Sequence, residues 1–227
     1  MKKLAIMLMA AFMVGTLSVS AEVHVYLVGD ENMCASTGEG HYTFGAALEK
    51  HFVDNVTVHN HAEAGLSLKS FTDKNGLAWL VKLPKKSVVF LQVGRHDLDM
   101  RDSEHYNTHE AFTQRLHELA TRCIDKKITL VLCTPLAVPY YKTGLLIDNL
   151  GGYDDVMRKV AAYHHLPLLD MSAVTYEWLS GLEFNAVEGY YAELVAPYSM
   201  TESGAEEVAN MAVNLLKKDA VVAKLIK

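Results

Sequence analysis

The chain has 227 residues, three cysteines and a formal net charge of −6, and half of its residues are hydrophobic. Such mild acidity disfavours nucleic acid and anionic membrane surfaces, which need concentrated Lys and Arg. Three cysteines with no ligand-like spacing exclude a disulfide framework or a cysteine–zinc site, while one bridge, such as Cys34 with Cys123, stays open.

The first element reads as an export signal. Lys2-Lys3 precede an apolar run over residues 4–17 that is short for a membrane span, and the small residues of Ser18–Ala21 suit cleavage after Ala21. A retained N-terminal anchor is the bland alternative. Residues 22–227 are then expected as one domain, periplasmic or extracellular, large enough to bury a substantial core.

Five short apolar runs follow: 23–29, 56–62, 87–94, 128–134 and 166–172. Several are nearly continuous in apolar residues, which predicts parallel strands covered on both faces. Between them lie helical stripes, Phe112, Leu116, Leu119 and Cys123 in one, Val208, Met211, Ala212, Leu215 and Leu216 in another. Strands alternating with helices predict an α/β fold, a three-layer α/β/α sandwich around a parallel five-stranded sheet with right-handed crossovers. Cys133 falls inside an apolar run and reads as core.

In such sheets ligands bind where loops splay at the carboxyl ends of the strands. Here those ends are Gly29-Asp30-Glu31, Ala62 to Gly65, Gly94-Arg95-His96-Asp97 and Thr134-Pro135, and the loop over 183–200 is placed to close over them.

Along these ends the sequence resembles the SGNH/GDSL hydrolases, in their rhamnogalacturonan acetylesterase-like branch. Gly29-Asp30 with Met33 and Phe44–Leu48 matches the first block, and Asn60, Ala62, Gly65, Ser67, Ser70 and Phe71 match the second. Gln92–Asp97 lies over the third, Thr134-Pro135 and the 153–158 segment fit, and Thr201–Ala205 resembles the start of the final helix.

The resemblance implies a serine nucleophile, an oxyanion hole from a glycine N–H and an asparagine, and a D-x-x-H acid–base pair. At those positions stand Glu31 for the nucleophile, Gly65 for the oxyanion glycine, His96 for the asparagine, Ala196 for the acid and Ser199 for the base. Only the glycine is kept. Acyl transfer of this kind needs a nucleophile activated by an oriented base, and a serine hydroxyl is no useful base at neutral pH. The inherited mechanism is therefore expected to be lost.

Several residues offer rescues or other chemistry. Cys34 with His41 is the best substitute nucleophile–base pair, with Ser36 as a weaker one, against the plainer reading of a packed loop cysteine. If the family geometry holds, Glu31 and His96 form an ion pair that plugs the vacant pocket. Asp30, Glu31, His96 and Asp97 also offer metal ligands, but without helical ligand pairs, and the resemblance implies that Asp30 and Asp97 bond loop backbone. No metal or cofactor is expected. His59 and His61 should face away from Asn60, and His164-His165 should be structural. Tyr140-Tyr141 and Tyr190-Tyr191 could form a sugar platform or simply pack.

The reading is a catalytically inactive, exported relative whose cleft binds an acylated saccharide or a protein partner. The alternative is a carbohydrate esterase working through Glu31, His96 or Cys34.

Overall fold

In the computed structural model, which describes residues 22–35, 42–194 and 199–227, strands and helices alternate as the periodicity predicts. The elements are β1 (Val23–Val28), α1 (Phe44–Glu49), β2 (Val56–Asn60), α2 (Leu68–Asp73), α3 (Gly76–Leu80), β3 (Val88–Gln92) and α4 (His109–Lys126). They continue with β4 (Thr129–Cys133), a small hairpin of β5 (Tyr141–Lys142) and β6 (Leu145–Leu146), then α5 (Tyr153–His164), β7 (Leu168–Leu169), α6 (Met171–Ser180), α7 (Phe184–Val187) and α8 (Glu202–Leu216).

The main sheet is parallel in the order β2-β1-β3-β4-β7. Because strand side chains alternate, Val25, Leu27, Val88, Phe90, Val131 and Cys133 enter one core. Their neighbours Tyr26, Val28, Val89, Leu91, Leu130 and Leu132 enter the other. Burial on both faces explains why the central runs are apolar without polar interruptions. The stripe Phe112, Leu116, Leu119 and Cys123 seals the second core, beside α5. Val208, Ala212 and Leu216 of α8 seal the first, with α1 packed on α8. Met211 and Leu215 are only partly buried against it.

Helix starts follow local chemistry. Thr108 caps α4 by accepting the Ala111 N–H at 3.1 Å, and Thr201 caps α8 by accepting the Gly204 N–H at 3.1 Å. The fifth strand departs from its expected span of 166–172: pairing covers only Leu168–Leu169. The cause is Asp170, whose side chain caps α6 and takes both Nε and Nη2 of Arg158 at 2.8 and 2.9 Å, so the chain turns helical at Met171.

Sheet order positions the site. The chain moves outward from β1 to β2, then returns to pair β3 on the other side of β1. The loops after β1 and β3 therefore part in opposite directions and leave a crevice between the two strand ends. The expected signal segment, residues 1–21, lies outside the described residues. Among the described residues, no helix is long and apolar enough to cross a membrane.

Candidate functional site

Three loops meet at the β1/β3 crevice. After β1 the chain turns at Asp30, whose carbonyl accepts the Met33 N–H at 3.0 Å. The segment after β2 runs alongside it, with the His61 N–H donating to Leu27 O at 2.8 Å and the Glu63 N–H to Gly29 O at 2.9 Å. That alignment carries Gly65, at φ 81°, past the end of β1. The loop after β3 folds into a 3-10 turn over His96–Leu98.

Two side chains lock these loops. Asp97 is fully buried and accepts the N–H groups of Leu68 at 3.0 Å, Lys69 at 3.4 Å and Gly94 at 2.9 Å, and the Asn107 amide at 2.6 Å. Asn60 donates to Met33 O at 3.0 Å and to Glu49 Oε1 at 2.9 Å, and accepts the Ala62 N–H at 3.1 Å. Asp97 is thus committed to loop backbone and the Asn107 amide, and leaves the set of possible metal ligands. Burial nevertheless pushes its carboxyl above the usual range, against those hydrogen bonds.

On this frame the expected ion pair forms. His96 Nε2 lies 2.9 Å from Glu31 Oε2 and 3.1 Å from Oε1, and the Gly65 N–H donates to Oε2 at 3.1 Å. Burial alone would raise the Glu31 carboxyl, but the His96 hydrogen bond and charge, with the Gly65 N–H, hold it at about 2. The same hydrogen bond raises His96 against the opposing effect of burial. Each partner favours the charged form of the other.

Asp30 offers a carboxylate oxygen within 4.8 Å of both partners and has no solvent exposure. Its Oδ1 accepts the Asn32 N–H at 3.0 Å and the Asn32 amide at 3.2 Å, whereas Oδ2 has no hydrogen-bond partner. Burial and the neighbouring Glu31 charge raise this carboxyl to about 6.

The other candidates fall away from the pair or outside view. Ala196, Ser36 and His41 lie outside the described residues. Ser199 is half-buried; its hydroxyl donates to Glu193 Oε2 at 3.3 Å and its carbonyl accepts the Ala192 N–H at 2.8 Å. Cys34 is a free, half-buried thiol, raised by burial and by the charges of Asp30, Glu31 and Glu63, which is the wrong direction for a nucleophile. Cys123 and Cys133 are free and buried, so the open possibility of a Cys34–Cys123 bridge is not realised.

His59 and His61 stack on Tyr26, with ring centroids 4.6 and 5.9 Å apart, on the face opposite to the contacts of Asn60. The tyrosine pairs are mostly packed: Tyr191 is buried, Tyr190 meets Trp178 edge-on and Tyr141 meets Phe184, so Tyr140 alone of the four is exposed. His164 ends α5 and His165 caps it at φ 54°.

Sequence reasoning missed two features. One is the β5–β6 hairpin, which carries no turn signal beyond Thr143-Gly144. The other is the network in which Arg158 holds Asp154 at 3.0 Å, Asp155 at 2.7 Å and Ser172 Oγ at 2.6 Å in addition to Asp170. Arg158 four residues after Asp154 was the available signal.

Comparison with known proteins gives this geometry a context. The Bacillus subtilis protein named "Probable rhamnogalacturonan acetylesterase YesY" is 26% identical over 203 residues, covering 86% of this chain and 93% of that one. The chain is thus similar to a probable rhamnogalacturonan acetylesterase over most of the length of both proteins. Solved structures share this SGNH-type fold. An acetylxylan esterase, Axe2 of Geobacillus stearothermophilus, superposes with a TM-score of 0.64 at 16% identity over 87% of this chain and 95% of that one. The Bacillus subtilis protein YxiM gives 0.76 at 18% identity over 88% of this chain, which spans 58% of that longer one. No family model matches the chain.

Proposed function

We propose that this chain is an exported SGNH-fold protein without ester-hydrolase activity, whose cleft binds an acylated saccharide. The carrying observation is that one carboxylate, Glu31, takes both the Gly65 N–H and the His96 ring. By the family correspondence these are the donors that would stabilise a developing oxyanion. A resident anion there both occupies the donors and repels negative charge arriving in a transition state. The hydrogen bond from Glu31 that raises His96 disfavours it as the base that would direct water. The saccharide class rests on the relatives, whose names specify acetylated rhamnogalacturonan and xylan. Export rests on the basic head and short apolar run ahead of Ala21.

The test is an acetyl-release assay on acetylated rhamnogalacturonan and xylan oligosaccharides and on a chromogenic acetate. The expected result is no turnover, with saccharide binding visible by calorimetry. A variant combining Glu31→Ser, His96→Asn, Ala196→Asp and Ser199→His is expected to gain activity. Turnover by the unaltered protein, abolished by Glu31→Ala, would overturn this reading in favour of an esterase working through the Glu31–His96 pair. For export, the protein recovered outside the cytoplasm should begin at Glu22.

A further inference from the structure

We propose that Asp30, Glu31 and His96 form a binding site for one divalent transition-metal ion of the Zn2+ or Mn2+ class. Of each residue, one potential ligand atom lies within 4.8 Å of those of the other two, and no other such group of three occurs among the described residues. The inference goes beyond the proposed saccharide binding, because its readout is the metal itself.

Proximity of acidic groups alone would not carry the assignment. The independent observation is Asp30: a carboxylate with no solvent exposure, one oxygen fixed by Asn32 and the other without a hydrogen-bond partner. A buried carboxylate oxygen left unpaired is costly, and a metal ion is one of the few partners able to satisfy it in a site this small. The remaining ligands are oriented in advance. Gly65 fixes one oxygen of Glu31, and His96 presents Nε2 to the carboxylates from a turn anchored by Asp97. Such support of ligands by neighbouring hydrogen bonds is what metal sites require.

Distances agree with one shared ion. Ligands each about 2.1 Å from a metal stand no more than about 4.2 Å apart. Around a tetrahedral ion that spacing falls to about 3.4 Å, so Glu31 and His96, now 2.9 Å apart, would part slightly and Asp30, within 4.8 Å of both, would draw in. On binding, the ion replaces the proton shared by the pair. Two carboxylate oxygens with one imidazole nitrogen favour Zn2+ or Mn2+ over the softer ions that select thiolates. Three protein ligands leave coordination positions open towards the cleft.

The test is calorimetric titration of chelator-treated, dialysed protein with ZnCl2 and MnCl2, alongside Co2+ absorption and thermal unfolding. One equivalent is expected, with micromolar affinity and a rise in Tm of several degrees. Asp30→Asn and His96→Gln should each weaken binding at least tenfold; His96 lies on a half-exposed turn, so its variant carries the test if Asp30→Asn does not fold. Two other histidine pairs compete for the signal, His24 with His59 at 3.1 Å and His117 with His164 at 2.8 Å. The double variant His24→Ala/His117→Ala should retain the tight equivalent. No binding at millimolar metal, or binding that survives His96→Gln and vanishes in the double variant, overturns the proposal.

Discussion

His96 Nε2 stands 2.9 Å from Glu31 Oε2, joining two strand ends that lie 65 residues apart in sequence. Glu31 is held at about 2 and His96 is raised, so the pair links stability to pH. The Glu31 contribution is complete above the usual carboxyl value of 4.5 and is lost as pH falls towards about 2. The His96 contribution is complete below the usual imidazole value of 6.5 and is lost as pH rises through its raised folded value. Both are in force between those two usual values. In chelator-containing buffer, Glu31→Gln should lower the His96 pKa measured by NMR, since burial then acts unopposed by the carboxylate; an unchanged value contradicts the pairing.

Asp97 is the anchor of the crevice. Asp97→Ala strands the buried N–H groups of Leu68 and Gly94, the partly buried one of Lys69 and the Asn107 amide. The expected loss is about 3 kcal/mol or more by urea unfolding, since bonds to a charged acceptor are strong and their orphaned donors are costly. Asp97→Asn keeps one acceptor oxygen and should lose less. An unfolding midpoint unchanged by Asp97→Ala would refute this role.

Two glycines should respond differently to alanine. A Cβ on Gly65 meets nothing within 4 Å, so only its φ of 81° is strained, and Gly65→Ala should cost about 1 kcal/mol. A Cβ on Gly204 would stand 2.0 Å from the Tyr190 carbonyl oxygen, backbone against backbone. Gly204→Ala should therefore displace α8 from the 189–191 segment and lower Tm far more. Equal effects on Tm would contradict this account.

Thiol labelling tests the cysteine alternative. Cys133 is buried and raised well beyond its normal range, Cys123 is pushed up to about 12 by burial, and Cys34 is half-buried and also raised. Under native conditions at pH 8, one thiol should react with a disulfide reagent, more slowly than free cysteine, and three should react in denaturant. Fast labelling of Cys34 would revive it as a nucleophile.

The fold was legible because its central strands are buried on both faces, which leaves apolar runs that no helix stripe imitates. Where a strand end is set by side-chain chemistry, as at Asp170, apolar content alone overran the boundary. The meeting of Glu31 with His96 was readable because the resemblance puts both at neighbouring strand ends. Of the Arg158 network only the spacing to Asp154 was readable, since Asp170 comes from the N-cap of α6 and reaches Arg158 only in the packed chain. The unpaired oxygen of Asp30 had no sequence signal at all: an aspartate after glycine at a strand end looks the same whether its carboxylate is satisfied or not.

The contact from Gly65 to Glu31 has a bearing on how such a cleft could regain chemistry. A carboxylate that ties the loops after β1, β2 and β3 has become part of the building, and replacing it by a hydroxymethyl side chain removes that shared tie and leaves only those of Asp97 and Asn60. Return to an acyl-transfer centre is therefore uphill in folding before any catalytic gain is felt, and the first substitutions along that route should be those that brace the loops by other means.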